Sequence, residues 1–287
     1  MLNGFINLYK NKGISSNKAL SILKKHLRYN NVTEKVGHFG TLDPLAEGVL
    51  PVAIGRATRL FDYMQDKIKV YKAEFTFGIE TDTLDSEGEV IGKSDKIITE
   101  EEILKVIPSL IGEIEQYPPK YSAKNVNGQR AYDLARKGKE FTLEAKKVYI
   151  KSIELLEKCQ ENTFSFRIYC GGGTYIRSIA KDMAELLGTV GIMSALIREQ
   201  SGIFTIYNSV QIDENPINIS DIIIPMETAA QNMEKISLET VDIKWLKDGK
   251  KLSTDLDDGL YAVFSDECFC ALASVNGRVM EVKTWLM

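Results

Sequence analysis

Residues 37–59 read GHFGTLDPLAEGVLPVAIGRATR, and this stretch restricts the possible structures of the chain more than any other. Asp43 precedes a proline, which biases its backbone towards an extended conformation and away from helix. Glycines at positions 37, 40 and 48 allow a sharp loop or the close approach of a ligand to the backbone. Apolar neighbours on both sides of Asp43 mean that its carboxylate needs a cation or hydrogen-bond donors nearby. The stretch therefore predicts either a loop that carries a functional carboxylate or an ordinary Asp-Pro turn at the surface.

The segments on either side of residues 37–59 mix strands and helices without a regular βαβ alternation. Ser15 offers an N-cap for a helix whose leucines repeat at helical spacing, and Thr99 with Glu102 forms a capping box for another. Residues 71–77 and 164–170 alternate apolar and polar positions as half-buried strands do. Residues 37–55 are interpreted as a stretch punctuated by glycine and proline, and His26, in a lysine-rich helix, is expected at the surface. We predict an α+β fold with a mixed, mostly antiparallel sheet.

Two boundaries follow from changes along the chain. Residues 116–139 combine Pro-Pro and Asn-Gly with many tyrosines and basic residues, which predicts a long loop with a short helix near 131–137. Beyond about residue 232, short strands separated by turn residues indicate a small β-rich unit. We therefore expect a large domain over residues 1–231, with an insertion at about 116–145, and a small domain over residues 232–287.

Composition excludes several classes of protein. The chain has 287 residues, 44% of them hydrophobic and 26% charged, which is typical of a globular protein and not of a disordered or collagen-like one. Four cysteines and two histidines are too few and too scattered for a disulfide framework or a zinc site. No segment is apolar enough for a signal peptide or a membrane span, so we expect a cytoplasmic protein without a membrane partner.

The net charge of −4 conceals a block pattern. Residues 1–72 contain 12 Lys and Arg against 5 Asp and Glu, and residues 116–151 contain 9 against 3. The two remaining segments, 73–115 and 152–287, are acidic. If the two basic blocks meet in the fold they form a positive surface, and otherwise they are solvated faces.

Several side chains outside residues 37–59 could take part in chemistry. Tyr71 begins an alternating strand, where a core aromatic residue is the simplest interpretation. Arg177 begins a helix directly after a strand and three glycines, a position suited to an anion; if it points inward it is the natural partner of an inward carboxylate, and otherwise it is a surface arginine. His38 is interpreted as a stacking, acid–base or structural residue. In the insertion, tyrosines alternate with Lys120, Arg130 and Arg136, which provides stacking planes for bases and cations for phosphates, unless this segment is a solvated loop.

Four segments taken together resemble a known family. They are GHFGTLDPLAEGVLPVAIGRATR, YKAEFTFGIETDTLDSEG, QYPPKYSAKNVNGQRAYDLARKG and CGGGTYIRSIAKDMAELLG, in this order. Their order, their spacing and the residues within them are similar to those of the TruB-type tRNA pseudouridine synthases, over nearly the whole chain. The tail, with DGLYAVFSDECFCALASVNGRV, resembles the small RNA-binding PUA-type domain that ends many members.

The resemblance implies a function and a set of site residues. Such enzymes isomerise the T-loop uridine of tRNA, at position 55, to pseudouridine without a metal or cofactor, and we expect a monomer that needs no protein partner. By matching motif positions, Asp43 is the nucleophile, attacking C1′ or C6 or promoting elimination at C1′. Tyr71 stacks on the flipped uracil or serves as a base, and Arg177 pairs with Asp43. His38 holds the base-flipped RNA, and Tyr175 and Leu196 match further pocket positions. Base flipping is required because a stacked nucleotide is out of reach.

Some positions depart from the family pattern, and two other functions are considered. Gly172 stands where a lysine is common, Asn125 where a lysine is usual, Val190 where a glycine is common, and Ile197 at the first of two arginines, which leaves Arg198. One alternative is a relative of the guide-RNA-dependent enzymes of the dyskerin type, although the basic tails usual there are absent. The other is a non-catalytic RNA-binding or RNA-folding protein, against which the intact Asp43 and the other catalytic positions argue.

Overall fold

The computed structural model describes residues 2–65, 68–122, 124–126, 128–213, 215 and 217–287. Its helices within these ranges are α1 (Ser16–Tyr29), α2 (Phe61–Gln65), α3 (Glu100–Val106), α4 (Ala131–Arg136), α5 (Ile176–Leu186) and α6 (Thr240–Lys247). Its strands are β1 (Gly4–Lys10), β2 (Val36–His38), β3 (Glu47–Ile54), β4 (Lys69–Phe77), β5 (Ile79–Thr81), β6 (Val90–Lys93), β7 (Gly112–Gln116), β8 (Asn125–Val126), β9 (Gln129–Arg130), β10 (Lys146–Gln160), β11 (Thr163–Cys170), β12 (Gly191–Ser201), β13 (Phe204–Thr205), β14 (Val210–Gln211), β15 (Ile224–Pro225), β16 (Glu234–Ser237), β17 (Leu252–Ser253), β18 (Gly259–Ser265), β19 (Cys268–Asn276) and β20 (Val279–Trp285). Short 3-10 helices span Gly55–Leu60, Ile107–Leu110, Ile206–Asn208, Ile219–Asp221 and Met226–Ala230.

A large mixed sheet forms the body of the molecule. Its strand order is β14-β1-β3-β12-β4-β11-β10-β7, and β2, β13 and β15 pair with β3, β12 and β1. The β1–β14 and β3–β12 pairs are parallel, whereas the long pairs β1–β3, β4–β11, β4–β12 and β10–β11 are antiparallel. The predicted α+β class with a mixed sheet is therefore confirmed.

Helices cover this sheet where the sequence offers caps and apolar stripes. The side chain of Ser15 caps α1 by accepting the Lys18 N–H, and the leucines of α1 pack against β1 and β3. The capping box of Thr99 and Glu102 starts α3 as predicted. Helix α5 packs its buried face against β4 and β12, so that its first turn lies close to the residues that follow β2.

The stretch at residues 37–55, which is punctuated by glycine and proline, contains a strand that the sequence analysis did not identify. Residues 47–54 form β3, which lies inside the sheet between β1 and β12 and is almost entirely buried. A strand covered on both faces has a continuous apolar sequence instead of an alternating one, so the period-two signal is missing. Pro51 lies opposite Asn7 in the pairing with β1, and its carbonyl accepts the Phe39 N–H at 2.8 Å.

The expectation that His26 lies at the surface was also wrong. It is 6% exposed, and its Nε2 atom lies 2.8 Å from the carbonyl oxygen of Asp213. The hydrogen bond ties α1 to a distant loop, which a pattern of neighbouring lysines cannot reveal.

A second sheet contains the strands near the end of the chain. Its order is β16-β18-β19-β20-β17, with β16 and β18 parallel. An apolar cluster joins this sheet to the large one, because Phe39 and Phe61 pack in the same cluster as Phe269 and Leu286. Arg59 adds a hydrogen bond from Nη1 to the Trp285 carbonyl at 2.7 Å. Among the described residues, none of the helices has the length and apolar character needed to span a membrane.

Candidate active site

The loop between β2 and β3 carries Asp43 and is held from several sides. The Ser16 hydroxyl donates to the Leu42 carbonyl and accepts the Leu42 N–H, both at 2.8 Å. The Pro44 carbonyl accepts the Gly13 N–H at 2.8 Å. These bonds fix the backbone on both sides of Asp43, so its carboxylate has a defined direction.

Asp43 forms an ion pair with Arg177. The Arg177 Nη2 atom lies 2.7 Å from Asp43 Oδ2, and the two side chains are 6% and 39% exposed, respectively. Burial raises the pKa of Asp43 above its ordinary value, and the Arg177 guanidinium opposes this rise. The carboxylate of Asp43 is thus partly accessible to solvent, whereas the guanidinium of Arg177 that pairs with it is buried.

Arg177 has a second carboxylate partner, Asp85, which the sequence reasoning did not single out. Asp85 Oδ2 lies 3.4 Å from Arg177 Nη1, and its side chain is 6% exposed. Its other oxygen accepts the Thr83 hydroxyl at 2.6 Å and the Glu87 N–H at 3.1 Å. Arg177 also donates to the carbonyls of Thr83 and Tyr121, each at 3.0 Å. Both terminal nitrogens of its guanidinium therefore have two partners each, which fixes the position of the side chain.

The first turn of α5 is fixed by Gln116, another residue that the sequence reasoning did not assign to the site. Its amide oxygen accepts the Tyr175 N–H at 2.7 Å, and its amide nitrogen donates to the Tyr175 carbonyl at 3.1 Å. Gln116 is 1% exposed at the end of β7. The large sheet thereby sets the position from which Arg177 reaches Asp43.

A pocket of about 210 Å³ opens beside this ion pair. Tyr71, Tyr175 and Leu196 line it together with Asp43 and Arg177. Burial raises the pKa of Tyr71, and the nearby Arg198 guanidinium opposes the shift, so the phenol stays protonated at neutral pH. Leu42, Met193 and Leu196 give the pocket apolar walls, and charged and hydroxyl-bearing side chains line the rest of it, which suits a flat ring with polar edges.

Arg198 supports this pocket from behind and was recognised in the sequence only as the remaining member of an arginine pair. It is 1% exposed and donates to the carbonyls of Val49 at 2.7 Å and Gly40 at 3.0 Å. Gly48 has a φ of +104°, and a β-carbon there would overlap the Arg198 backbone. The parallel contact between β3 and β12 thus depends on a glycine at position 48.

A wider cleft of about 820 Å³ adjoins the pocket and shares Asp43 and Arg177 with it. His38, Arg130 and Arg136 line this cleft. Burial and Arg198 lower the pKa of His38, so its ring is neutral at pH 7. The predicted Lys120 is not brought to this cleft; it lines a separate cavity beside the insertion. Within the described ranges, no three His, Cys, Asp or Glu side chains are arranged to hold a metal ion.

Comparisons with known proteins identify a family that this chain resembles over most of its length. Residues 25–176 match the N-terminal domain of the TruB family pseudouridylate synthases. The tRNA pseudouridine synthase B of Clostridium tetani is 42% identical over 253 residues, which are 88% of this chain and 86% of that protein. The protein of the same name from Clostridium novyi is 37% identical over 294 residues and covers 100% of both chains.

Solved structures share the fold. A Cbf5-Nop10-Gar1 complex contains a chain that superposes with a TM-score of 0.73 at 26% identity, over 99% of this chain and 85% of that one. An H/ACA RNP bound to a substrate RNA containing 2′-deoxyuridine gives a TM-score of 0.72 at 24% identity, with the same coverage. The similarity therefore extends beyond the matched family domain and includes the second sheet.

Proposed function

This chain belongs to the TruB family of pseudouridylate synthases, and we propose that it converts the T-loop uridine at position 55 of tRNA to pseudouridine, with Asp43 as the nucleophile. It is an isomerase that acts on uridine in tRNA, as its relatives at about 40% identity over most of the chain indicate. The choice of the T-loop and the roles of individual residues are the proposal.

The observation that carries the proposal is the Asp43–Arg177 pair at the side of the 210 Å³ pocket. The pocket is of the size of a single nucleoside, and Asp43 lies in its lining and not on an outer face. The target uridine must therefore leave its stack, and Asp43 then meets its sugar and base edge. Arg177 favours the ionised carboxylate against the burial that would protonate it.

Three chemical routes fit this placement. An Asp43 oxygen displaces N1 of the uracil at C1′, or it adds to C6 before the N1–C1′ bond breaks, or the C2′ proton is removed as the N1–C1′ bond breaks. In each route the freed uracil rotates and its C5 bonds to C1′, while the bond to Asp43 breaks or the proton returns to C2′. The proton at C5 is then lost and N1 is protonated. Tyr71 stacks on the base as a neutral phenol, and Tyr175 and Leu196 form the remaining walls. No metal or cofactor takes part in this proposal.

We assign RNA recognition to surfaces around the cleft. His38, Arg130 and Arg136 line the cleft beside the nucleophile, and Lys120 extends the basic insertion. Residues 1–231 form the catalytic domain in this proposal, with the insertion at 116–145, and residues 232–287 form a PUA-like RNA-binding domain. The enzyme acts in the cytoplasm as a monomer that needs neither a guide RNA nor a protein partner.

One experiment tests the function directly. The protein alone is incubated with a T-arm stem–loop RNA that carries tritium at C5 of its uridines, and tritium release is measured. Wild-type protein is expected to release the label from one uridine, because forming the new bond at C5 expels its hydrogen. Asp43→Asn is expected to abolish release while RNA binding is retained, because the amide keeps the shape of the carboxylate and loses its charge.

Asp95→Asn is the matched control, since Asp95 is exposed and lies outside the cavities described above. It is expected to release tritium as the wild type does. Absence of release by wild-type protein, at concentrations where the RNA is bound, would refute the enzyme proposal for this substrate. Release that required an added guide RNA would favour the dyskerin-type alternative.

A further inference from the structure

A buried hydroxyl in the pocket lacks a partner. Ser122 is 4% exposed, lines both the pocket and the adjoining cleft, and its Oγ atom forms no hydrogen bond within the described part of the chain. The Tyr175 hydroxyl lies near it, and Ser122 lowers the pKa of that phenol, but the two do not meet in regular hydrogen-bond geometry. Folded proteins pair nearly all of their buried hydroxyls, because leaving one without a hydrogen bond is unfavourable, so such a group points to a ligand.

The start of α5 faces the same pocket with open donors. Residues 173–177 line the pocket, and the N–H groups of Ile176 and Arg177 have no acceptor within the described ranges. Tyr175 occupies the N-cap without a side-chain cap. The helix is 11 residues long, so its N-terminus carries the partial positive charge that attracts anions.

A cation lies above the turn that leads into this helix. The Lys146 ammonium is so close to Gly173 that a β-carbon there would lie 2.9 Å from its Nζ atom. Lys146 is exposed and forms no ion pair within the described residues, whereas the next residue, Lys147, pairs with Glu113 at 2.9 Å. Gly173 has a φ of +80° and no side chain, which leaves the backbone of the turn open to a ligand.

We propose that Ser122, the start of α5 and Lys146 form a binding site for an RNA phosphodiester next to the target nucleotide. The proposal rests on the proposed function, because that function brings RNA into the pocket. A phosphodiester has two charged oxygens that accept bonds from a hydroxyl, backbone N–H groups and an ammonium. Lys69, Arg177 and Arg198 line the inner part of the pocket, and Lys146 adds an exposed cation next to the open donors of α5, where a phosphodiester can reach it.

The test compares charged and neutral linkages. Dissociation constants are measured for a T-arm stem–loop RNA in three forms: unmodified, with a methylphosphonate on the 5′ side of the target uridine, and with one on its 3′ side. The variants are Lys146→Gln and Ser122→Ala, with Lys147→Gln as the matched control on the neighbouring residue. Thermal denaturation verifies that each variant is folded.

On unmodified RNA, Lys146→Gln is expected to weaken binding about tenfold and to reduce the slope of log K against log salt by about 0.7 to 0.9, the value of one phosphate contact. Ser122→Ala is expected to weaken binding about tenfold or more, as loss of one hydrogen bond to a charged group does. With one of the two methylphosphonate RNAs, Lys146→Gln and the wild type are expected to bind equally. Lys147→Gln is expected to behave as the wild type on all three RNAs.

Two results would overturn the site. One is an unchanged affinity and salt slope for Lys146→Gln on unmodified RNA. The other is a loss of affinity that is just as large on both neutral RNAs, which would mean that Lys146 and Ser122 contact something other than these phosphates. Because binding is measured separately from tritium release, failure of the wild type to isomerise the RNA would count against the proposed function and not against this site.

Discussion

Replacing Arg177 by glutamine tests the central ion pair most severely. Arg177 is the shared cation of Asp43 at 2.7 Å and Asp85 at 3.4 Å, and it also donates to two backbone carbonyls. Asp85 depends more on this cation than Asp43 does, because its side chain is only 6% exposed. Removal of Arg177 leaves this carboxylate buried with donors but without a cation.

The expected loss of stability follows from the difference in burial between Asp43 and Asp85. Removing one partner of a buried ion pair costs about 3–5 kcal/mol. For Arg177→Gln we expect a loss of about 3 kcal/mol of folding stability, at the lower end of this range, because Asp43 is 39% exposed and solvent screens its interaction with Arg177. For a chain of this size, roughly 2 °C per kcal/mol gives a fall in Tm of about 6 °C. Adding Asp85→Asn removes the uncompensated charge, so the double variant is expected to regain about 1–3 kcal/mol relative to the sum of the single changes.

Thermal and urea unfolding of the four proteins of this cycle supply the measurement. Arg167→Gln is the matched control, because Arg167 pairs with Glu199 at 2.9 Å near the surface, where such pairs contribute about 1 kcal/mol or less. The reasoning is refuted if Arg177→Gln is as stable as Arg167→Gln. It is equally refuted if the two changes at Arg177 and Asp85 add without coupling.

Three further outcomes are expected. Burial raises the pKa of Asp43 above the ordinary aspartate value of about 3.9, so acidification should lower the single-turnover rate at a pH that is still above that value. Tritium release measured over about pH 4 to 8 tests this, and a rate that does not change with pH would contradict it. Gly48→Ala should prevent folding or lower the free energy of unfolding in urea by about 3 kcal/mol or more, because the added methyl group overlaps the backbone of β12. A stability close to that of the wild type would show that β3 and β12 can move apart to make room for it. Changing Lys120, Arg130 and Arg136 together to alanine should weaken T-arm binding and flatten its salt dependence, whereas an unchanged slope would make the insertion a solvated face.

Local signals in the sequence were sufficient for much of the fold. The capping box at Thr99 and Glu102 uses atoms three residues apart, so its pattern predicts its geometry, and the alternation in 164–170 likewise predicts β11. Strand β3 was missed because burial on both faces removes alternation and because Pro51 is an unusual strand residue. The side chain of His26 finds its partner 187 residues away, a distance that no local pattern encodes.

In the candidate site, too, some residues could be predicted from the sequence and others could not. Motif resemblance selected Asp43 and Arg177, and the structure brings these two together. Asp85 stood within a quoted motif, but its role depends on a contact with Arg177, 92 positions further along the chain. Gln116 gave no composition signal, because a buried amide that caps a distant helix looks like any other glutamine until the strand and the helix are side by side.

The apolar cluster between the two sheets has a consequence for cooperativity. Phe39 follows His38 directly and packs with Phe61 at a ring separation of 5.5 Å, in the same cluster as Phe269 and Leu286 near the end of the chain. Loss of residues 232–287 would expose these rings to water and remove the packing behind the loop that carries Asp43. We therefore expect the two sheets to unfold as one cooperative unit and amide protection in the loop to depend on the stability of the last strands.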